Sequence, residues 1–334
     1  MLILAIESSC DDTAVAVVSA PDQVLSNIIS SQFEVHAPFG GIVPELASRA
    51  HIEAIRPLVA QALARAEVSL DDIDLIAATQ GPGLVGSLLV GFTFAKALAL
   101  VKDLPCVGVD HMAGHLLSAL LLDDPPSFPY TALVVSGGNT SLFCVKGHTD
   151  FTLMGRTRDD AAGEAFDKVA KLLALGYPGG PAVSASAHKG DPAAFAFPRA
   201  WLDKDSLDFS FSGLKTSVVN TVHQFKQREE PVPVADICAS FEQAVIEVLV
   251  AKTVAAARRN GHRSIVLGGG VACNIQLRRQ LLQQCRDNNI RLFVPDPVFC
   301  TDNAAMIALA GYYRYKQGKL LLPDDDAYSR SPLN

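Results

Sequence analysis

The chain has 334 residues. A single hydrophobic core usually supports a shorter chain, so we expect one large domain or two of medium size. Hydrophobic residues make up 49% of the chain and charged residues 19%, a composition that excludes a disordered protein. The net charge of −7 excludes a generally basic surface of the kind that binds nucleic acid non-specifically. Any activity on nucleic acid must therefore come from local groups of residues.

The cysteine pattern and the first residues indicate a cytoplasmic protein. Seven cysteines occur, an odd number without a CxxC pair, which is typical of free thiols in a reducing compartment. The N-terminal residues lack the basic segment of a signal peptide. One apolar run, residues 84–101, is long enough to cross a membrane, but no second span or flanking anchor accompanies it. We therefore predict a buried helix packed through Gly86, Gly91 and Ala95, and no membrane partner.

In chain order, the hydrophobic pattern predicts strands that alternate with helices. A strand, a polar turn and a second strand occupy residues 2–19, and the same order returns at residues 130–145. The other predicted elements are helices at 45–67, 84–100, 162–175, 234–259 and 275–288, strands at 75–79, 105–109, 264–267 and 291–294, and a closing helix at 301–316. Prolines at 123–129 mark a boundary. We predict lobes 1–129 and 130–334, with the closing helix, from about residue 302, packing back on the first lobe.

The repeated strand–turn–strand units predict a duplicated α/β fold. Both turns are small and polar, at residues 7–13 and 136–140, and a third, glycine-rich turn at residues 268–270 follows a strand and opens a helix. Small residues let backbone N–H groups approach an anion. Together the turns predict a nucleotide bound in a cleft between the two lobes.

A histidine pair predicts a metal site. Asp110 is suited to cap a helix on which His111 and His115 lie one turn apart on the same face. A third ligand must come from elsewhere, and Asp302 stands where the closing helix begins. Two nitrogens and one oxygen with open coordination positions suit catalytic iron(II) or zinc. Helical histidine pairs also occur as ordinary surface residues, and the spacing alone leaves both interpretations open.

A metallopeptidase is the first alternative that the histidine pair suggests. An HExxH site needs a glutamate beside the first histidine as general base, and Met112 stands there instead. A small-molecule phosphotransferase and a chaperone-like ATPase are further alternatives on a nucleotide-binding fold, but neither requires the histidine pair. An enzyme without its own nucleophile can still catalyse the attack of a substrate amine on an activated acyl group.

Several longer segments carry a resemblance to a known family. They are ESSCDDT, HAPFGGIVPELASRAH, GPGLVGSLLVG, HMAGH, VSGGNT, DDAAGEAFDKVAKLLALGYPGGP, FSFSGLKT, GGGVACN and FCTDNAAMIA. In this order they resemble the TsaD family, the catalytic subunit of bacterial tRNA threonylcarbamoyladenosine synthase, from residue 7 to about residue 310. The family is similar in fold to actin, Hsp70 and the sugar kinases (the ASKHA group), so the resemblance implies two duplicated ASKHA lobes.

The resemblance also implies functional residues. The implied ligands of one divalent metal per subunit, iron(II) first and zinc second, are His111, His115 and Asp302. The implied substrate-binding residues are Val134, Val135, Ser136, Gly137, Gly138, Asp167, Gly180 and Asn274.

The reaction that the resemblance implies is an acyl transfer to tRNA. Threonylcarbamoyl-AMP would donate its threonylcarbamoyl group to the exocyclic amine of the adenosine 3′ of the anticodon, in tRNAs that read codons beginning with A, and AMP would leave. The implied partner proteins are an inactive paralogue (TsaB-like) and a small ATPase (TsaE-like). Because the chain is acidic overall, we expect tRNA to meet local basic groups. The candidates are Arg156 with Arg158, Arg258 with Arg259 and Arg263, and Arg278 with Arg279.

Overall fold

A computed structural model describes residues 1–203 and 205–333. The chain forms two compact units. The first unit comprises Met1–Pro126, Lys146–Phe151 and the chain from Pro295 onwards, and the second comprises Ser127–Val145 and Thr152–Val294. All seven cysteines are free, as the odd number and spacing predicted.

The helices and strands follow one another in mixed order. The first half contains β1 (Leu2–Glu7), β2 (Asp12–Ser19), β3 (Gln23–Ser31), α1 (Phe33–His36), α2 (Pro44–Arg65), β4 (Leu75–Gly81), α3 (Val85–Lys102), β5 (Cys106–Asp110), α4 (His111–Leu117), β6 (Tyr130–Val135), β7 (Thr140–Gly147) and β8 (Asp150–Arg156). The second half contains α5 (Ala162–Leu172), α6 (Gly179–Ala187), α7 (Ser212–Gln227), α8 (Val234–Arg259), β9 (Ser264–Gly268), α9 (Ile275–Asp287), β10 (Arg291–Phe293), α10 (Pro297–Cys300) and α11 (Ala304–Lys316).

The two sheets repeat one topology, which confirms the predicted duplicated α/β fold. The first has the strand order β3-β2-β1-β4-β5, and the second has the order β10-β9-β6-β7-β8, the same sequence of connections read from the other edge. In each sheet a central strand, β1 or β6, pairs antiparallel with the next strand of the chain and parallel with a later one, β4 or β9. Parallel neighbours place their carboxyl ends at one edge of the sheet. The residues that follow these strands are therefore brought together.

Helices cover both faces of the first sheet, because its central strands are apolar on both sides. Leu4 and Ile6 of β1 pack in one cluster with Phe92 and Ala95 of α3 and with side chains of α2. On the other face lies α11, where Gly311 comes so close to Ala77 that a Cβ would meet the alanine Cβ at 2.7 Å. This packing holds the C-terminal helix against the sheet that contains β5 and α4.

The apolar helix α3 buries one face in the first unit, so the prediction of a buried helix is correct only in part: Leu100 and Val101 are 83% and 81% exposed. Its 18 residues have a mean hydropathy of 1.6, and 33% of them are buried. Among the described helices, α3 alone has the length and composition to cross a membrane. Phe92, Ala95 and Ala99 belong to the hydrophobic cluster of the unit. Core helices of soluble proteins can be as long and as apolar as membrane spans, so this composition is weak evidence that α3 crosses a membrane.

Some boundaries and elements differ from the sequence prediction. Helix α11 begins at Ala304 rather than near residue 301, because the side chain of Asn303 accepts a hydrogen bond from the N–H of Met306 and caps it. Helix α5 ends at Leu172, and Ala174 and Gly176 beyond it both have positive φ. Strands β3 and β8 and helices α6 and α7 were not predicted. Polar residues interrupt the hydrophobic period of β3, β8 and α7, and α6 consists mostly of small residues that show no clear period.

Candidate metal centre and glycine-lined turn

Helix α4 begins directly where strand β5 ends, and this junction presents the two histidines. Asp110 caps the helix as predicted, since its Oδ1 accepts a hydrogen bond of 2.9 Å from the N–H of Met112. His111 is the first helical residue, and His115 follows one turn later with its ring centroid 4.7 Å from that of His111. Met112, at the position of an HExxH glutamate, is an apolar side chain only 2% exposed. The junction thus offers two imidazoles and no adjacent general base.

Asp302 approaches both imidazoles from the segment that precedes α11. Its Oδ1 lies 3.1 Å from Nε2 of His115 and 3.4 Å from Nε2 of His111. Possible ligand atoms of the three residues all lie within 4.8 Å of one another. Two ligands bound to one ion at about 2.1 Å, at angles of about 90–110°, are about 3.0–3.4 Å apart. The two separations from Asp302 therefore match edges of a coordination polyhedron, and the three residues lie close enough together to hold one divalent ion.

Glu7 supports this cluster, although the sequence placed it only in a polar turn. It ends strand β1, is fully buried, and accepts a hydrogen bond of 2.9 Å from Nδ1 of His111. Thr79 at the end of β4 donates to the same carboxylate oxygen, and the N–H of Ser9 donates to the other. A carboxylate that accepts the Nδ1 proton directs Nε2 of the histidine toward Asp302, and this nitrogen can bind a metal once it has lost its own proton. A buried acid at the end of a central strand is the signal that could have identified Glu7.

Opposite charges within the cluster shift the pKa values of its members. Burial alone would lower the pKa of His111, but Glu7 and Asp302 outweigh it, so the pKa of His111 lies well above its ordinary value. Burial would raise the pKa of Asp302, but both histidines hold that pKa well below its usual range. Burial lowers the pKa of His115, which favours the neutral imidazole that binds metals.

The neighbouring turn adds further acidic groups. Burial, followed by the charges of Asp302 and Asp11, raises the pKa of Asp12 to about 7. Burial and then the charge of Asp302 also raise the pKa of Asp11. Burial and the charge of Asp11 raise the pKa of the Cys10 thiol, so this cysteine is a poor nucleophile. Carboxylates that raise one another's pKa values have too little positive charge nearby, and a divalent cation would supply it.

The second unit carries the predicted turn between β6 and β7. Val134 and Val135 are buried strand residues, so only their backbone is available to a ligand. Gly137 and Gly138 are exposed, with open space where a Cβ would stand. The N–H of Ser136 donates to the carbonyl of Asn139 at 2.8 Å and closes the turn. The glycines therefore leave backbone N–H groups accessible to an anion.

The N-terminus of α5 and the glycine-rich turn after β9 pack against this turn within the second unit. Gly163, in the first turn of α5, packs so closely that a Cβ would lie 2.8 Å from the backbone N of Gly137. Gly269, which has φ +87, lies against the carbonyl of Val135. Gly180 is the second residue of α6 and has open space beside it. Helix N-termini carry partial positive charge and free N–H groups, so this arrangement suits a phosphate.

Two of the predicted substrate-binding side chains hold these helices in place. Asp167 accepts a hydrogen bond of 2.8 Å from the N–H of Gly179, which opens α6. Asn274 caps α9, and its amide donates to Ser184 and Glu242 at 3.0 and 2.7 Å. These contacts give both residues a structural role, and direct binding of substrate by either stays a prediction.

Comparison with known proteins identifies one family. The profile of TsaD, described as tRNA N6-adenosine threonylcarbamoyltransferase, matches residues 23–309. A protein of that name from Desulfotalea psychrophila is 59% identical over 100% of this chain and 98% of its own length. Another from Staphylococcus aureus is 50% identical over 96% of this chain and 93% of its own length.

Solved structures with low sequence identity share the fold. HypF of T. kodakarensis has a TM-score of 0.64 at 16% identity and covers 95% of this chain and 48% of its own. Component A of the Acidaminococcus fermentans (R)-2-hydroxyglutaryl-CoA dehydratase has a TM-score of 0.54 at 14% identity, with 95% and 98% covered. These likenesses concern the fold alone, and they confirm the predicted ASKHA architecture.

Proposed function

Because the chain belongs to the TsaD family of tRNA N6-adenosine threonylcarbamoyltransferases, we propose that it performs its reaction with the metal cluster of the first unit and the glycine-lined turn of the second. The enzyme is a transferase that modifies N6 of an adenosine in tRNA. The single structural observation that supports the proposed site is the convergence of His111, His115 and Asp302.

The donor in this proposal is threonylcarbamoyl-AMP. The N6 amine of the adenosine 3′ of the anticodon attacks the carbamoyl carbonyl carbon, a C–N bond forms, the bond from that carbon to the phosphate oxygen breaks, and AMP leaves as the amine loses a proton. The acceptors are tRNAs that read codons beginning with A. Backbone N–H groups at Gly137, Gly138 and Gly180 bind the phosphate and stabilise the charge it gains on departure. Val134, Val135 and Ser136 shape this turn, while Asp167 and Asn274 fix the helices beside it.

His111, His115 and Asp302 would hold one divalent metal, for which we favour iron(II) over zinc. When bound, the metal supplies Lewis-acid stabilisation of oxygens that gain negative charge. Glu7 keeps the Nδ1 proton of His111 in place, so that Nε2 faces Asp302. Met112 offers no proton acceptor beside His111, which argues against the metallopeptidase alternative.

A basic hollow in the second unit supports the tRNA interaction. It has a volume of ≈ 430 Å³ and is lined by Arg258, His262, Arg263, Asn288 and Asn289, among others. Within residues 1–203 and 205–333, the side chains of Arg258 and Arg263 have neither a hydrogen bond nor an ion pair. By contrast, Arg158 is paired with Asp208, and Arg259 with Asp205. We infer that the two unpaired arginines of the hollow contact tRNA phosphates.

An exposed apolar surface supports the proposed paralogue (TsaB-like) subunit. Ser48 of α2 packs against Gly86 of α3, and nearby on the two helices Ile52, Val85 and Leu89 are 63%, 53% and 39% exposed. Exposed apolar side chains on adjacent helices are typical of a subunit interface. The small ATPase (TsaE-like) and a cytoplasmic location complete the proposal by analogy with the family.

Nucleoside analysis of bulk tRNA after depletion of this protein tests the proposal. We expect the threonylcarbamoyl-modified adenosine to disappear and to return when the wild-type protein is supplied. An Asp302→Asn protein should fail to restore it, whereas Asp324→Asn, a change at an exposed carboxylate, should restore it fully. An unchanged level of the modification after depletion would contradict the proposal.

A further inference from the structure

The C-terminal residues 321–331, here called the C-terminal strap, run from Cys106 at the start of strand β5 to Gln80 near the end of strand β4. The N–H of Leu321 donates to the carbonyl of Cys106 at 2.8 Å, and the N–H of Tyr328 donates to the carbonyl of Gln80 at 3.0 Å. The side chain of Gln80 donates in turn to the carbonyl of Asp326 at 2.8 Å. The strap is thus tied to both strands at several points rather than resting loosely on the surface.

Further contacts hold the middle of the strap. The ammonium of Lys96 on α3 donates to the carbonyls of Pro323 and Asp325 at 2.9 and 2.7 Å. Leu321 and Ala327 pack against the hydrophobic cluster of the first unit.

Two glycines make room for the strap. A Cβ on Gly81 would lie 2.0 Å from the carbonyl oxygen of Tyr328 and 2.4 Å from its ring. A Cβ on Gly108 would lie 2.3 Å from the side chain of Gln80, which binds the strap, and 2.9 Å from the side chain of Leu321. Gly81 begins GPGLVGSLLVG, one of the segments that carry the family resemblance. The close approach of Tyr328 leaves no space for a side chain at position 81, which explains why a glycine stands there.

The end of the strap reaches the residue that caps the histidine helix. The hydroxyl of Tyr328 donates to Oδ2 of Asp110 at 2.9 Å, and the hydroxyl of Ser331 donates to the same oxygen at 2.8 Å. The other oxygen, Oδ1, accepts the N–H of Met112 in the first turn of α4. Asp110 is 5% exposed, so its orientation is fixed by these donors and not by water. The strap therefore binds Oδ2 of Asp110, while Oδ1 of the same side chain caps α4.

A helix as short as α4 depends on its cap. It has seven residues, too few to be stable without packing and end contacts. His111 is its first residue, directly beside the cap, so a rotation of Asp110 would move the imidazole. The two Nε2 atoms can share one ion with Asp302 only while the first turn keeps its present orientation.

We propose that the C-terminal strap sets the geometry of the metal site, with Tyr328 and Ser331 acting as positioning residues that orient His111 through Asp110. The inference rests on the proposed metal site formed by His111, His115 and Asp302. The strap touches neither the ion nor the substrate in this account. Its effect is on the affinity and the coordination geometry of the metal.

Metal titration of the full-length protein tests this inference. The test variant is Tyr328→Phe/Ser331→Ala, which removes the two hydroxyl groups and keeps the ring that packs on Gly81. The matched control is Tyr315→Phe/Ser329→Ala, which removes a hydroxyl from α11 and one from the exposed Ser329. Affinity for iron(II) is measured by competition with a chelator, and the visible spectrum of bound cobalt(II) reports coordination geometry.

We expect the test variant to bind iron(II) about 10–100-fold more weakly than the wild type and to show a changed cobalt spectrum, with the control unchanged. Ser331→Thr with Tyr328 intact should behave as the wild type, because the hydroxyl is retained. If the double variant does not fold, each single variant should show a smaller loss of affinity in a protein with wild-type circular dichroism.

A parallel His111→Ala titration separates the two proposals. If His111→Ala binds metal as the wild type does, the proposed metal site is wrong. If His111→Ala loses the metal but the folded strap variants keep wild-type affinity and cobalt spectrum, the positioning role of the strap is wrong.

Discussion

Glu7 and His111 lie 104 positions apart in the chain, and Nδ1 of the histidine donates a hydrogen bond of 2.9 Å to a carboxylate oxygen of the glutamate. The sheet explains the contact. Strand β1 ends at Glu7, β5 ends one residue before His111, and β4 lies between and parallel to both. The carboxyl ends of parallel strands lie at the same end of the sheet, so the buried Glu7 and His111, the first residue of α4, meet there.

Replacement of this acid tests its role in orienting the histidine. Glu7→Gln can still accept a hydrogen bond but carries no charge, so the histidine becomes a weaker ligand. We expect the affinity for iron(II) to fall about 10–100-fold, while Glu45→Gln, a change on the exposed surface of α2, has no effect. Chelator competition measures both. Equal affinities for Glu7→Gln and wild type would show that Glu7 does not tune the site.

Much of the fold could be predicted because the hydrophobic pattern of its central strands is simple. Residues 2–19 and 130–145 predicted both hairpins, and the structure has them at β1–β2 and β6–β7. Spacing likewise predicted the His111–His115 pair, since residues four apart share a helix face. The strand pattern could single out Glu7 as a buried acid, but not its partner His111, nor the contact of Ser331 with Asp110. Both pairs depend on which distant segments of the chain the fold places side by side.

The close approach of Gly81 to the strap predicts an unusual cost for a small substitution. In Gly81→Ala the new Cβ meets the backbone of Tyr328, which cannot rotate away as a side chain can. We expect a loss of about 1–3 kcal/mol in the free energy of unfolding. Gly213→Ala, on helix α7 with open space around it, should instead stabilise the protein by about 0.5–1 kcal/mol. Denaturant unfolding of both variants decides the matter, and a neutral Gly81→Ala would mean that the strap does not pack tightly.

The basic hollow predicts the salt dependence of tRNA binding. Arg258→Gln/Arg263→Gln removes two positive charges that have no partner within the described chain, so folding should be unaffected. We expect weaker tRNA binding and a log–log salt slope that is smaller in magnitude by about 1–2. Lys226→Gln/Arg228→Gln, at the C-terminal end of α7 and just beyond it, makes the same change of charge elsewhere in the second unit and should leave the slope as it was. If both double variants show the same slope, the hollow has no special role.

His262 predicts how stability changes with pH. One ring nitrogen lies 2.8 Å from Oγ1 of Thr131 and the other 3.6 Å from Sγ of Cys144, and burial lowers the pKa of the imidazole. The unfolded chain takes up a proton as the pH falls through about 6.5, whereas the folded protein resists it. The unfolded state then binds more protons, so this residue makes the protein less stable as the pH falls below that value.

The measurement is the free energy of unfolding between about pH 8 and 5.5, a window that spans the ordinary histidine pKa. His262→Asn should lose less stability across this range than the wild type, even if it starts from a lower value. His188→Asn, a change at an exposed histidine, should follow the wild-type curve. Parallel curves for all three proteins would contradict the assignment to His262.

The central claim is that the cluster of His111, His115 and Asp302 holds a metal required for transfer. The most direct test measures metal content and transfer of labelled threonylcarbamoyl from the adenylate to tRNA, for wild type, His111→Ala and the surface control His223→Ala, each with the proposed partner proteins. Removal of one imidazole leaves a poor chelate, so His111→Ala should stay folded, lose most of its metal and lose activity by orders of magnitude. The control should match the wild type. A folded His111→Ala protein that contains no metal and transfers at the full rate would contradict the account.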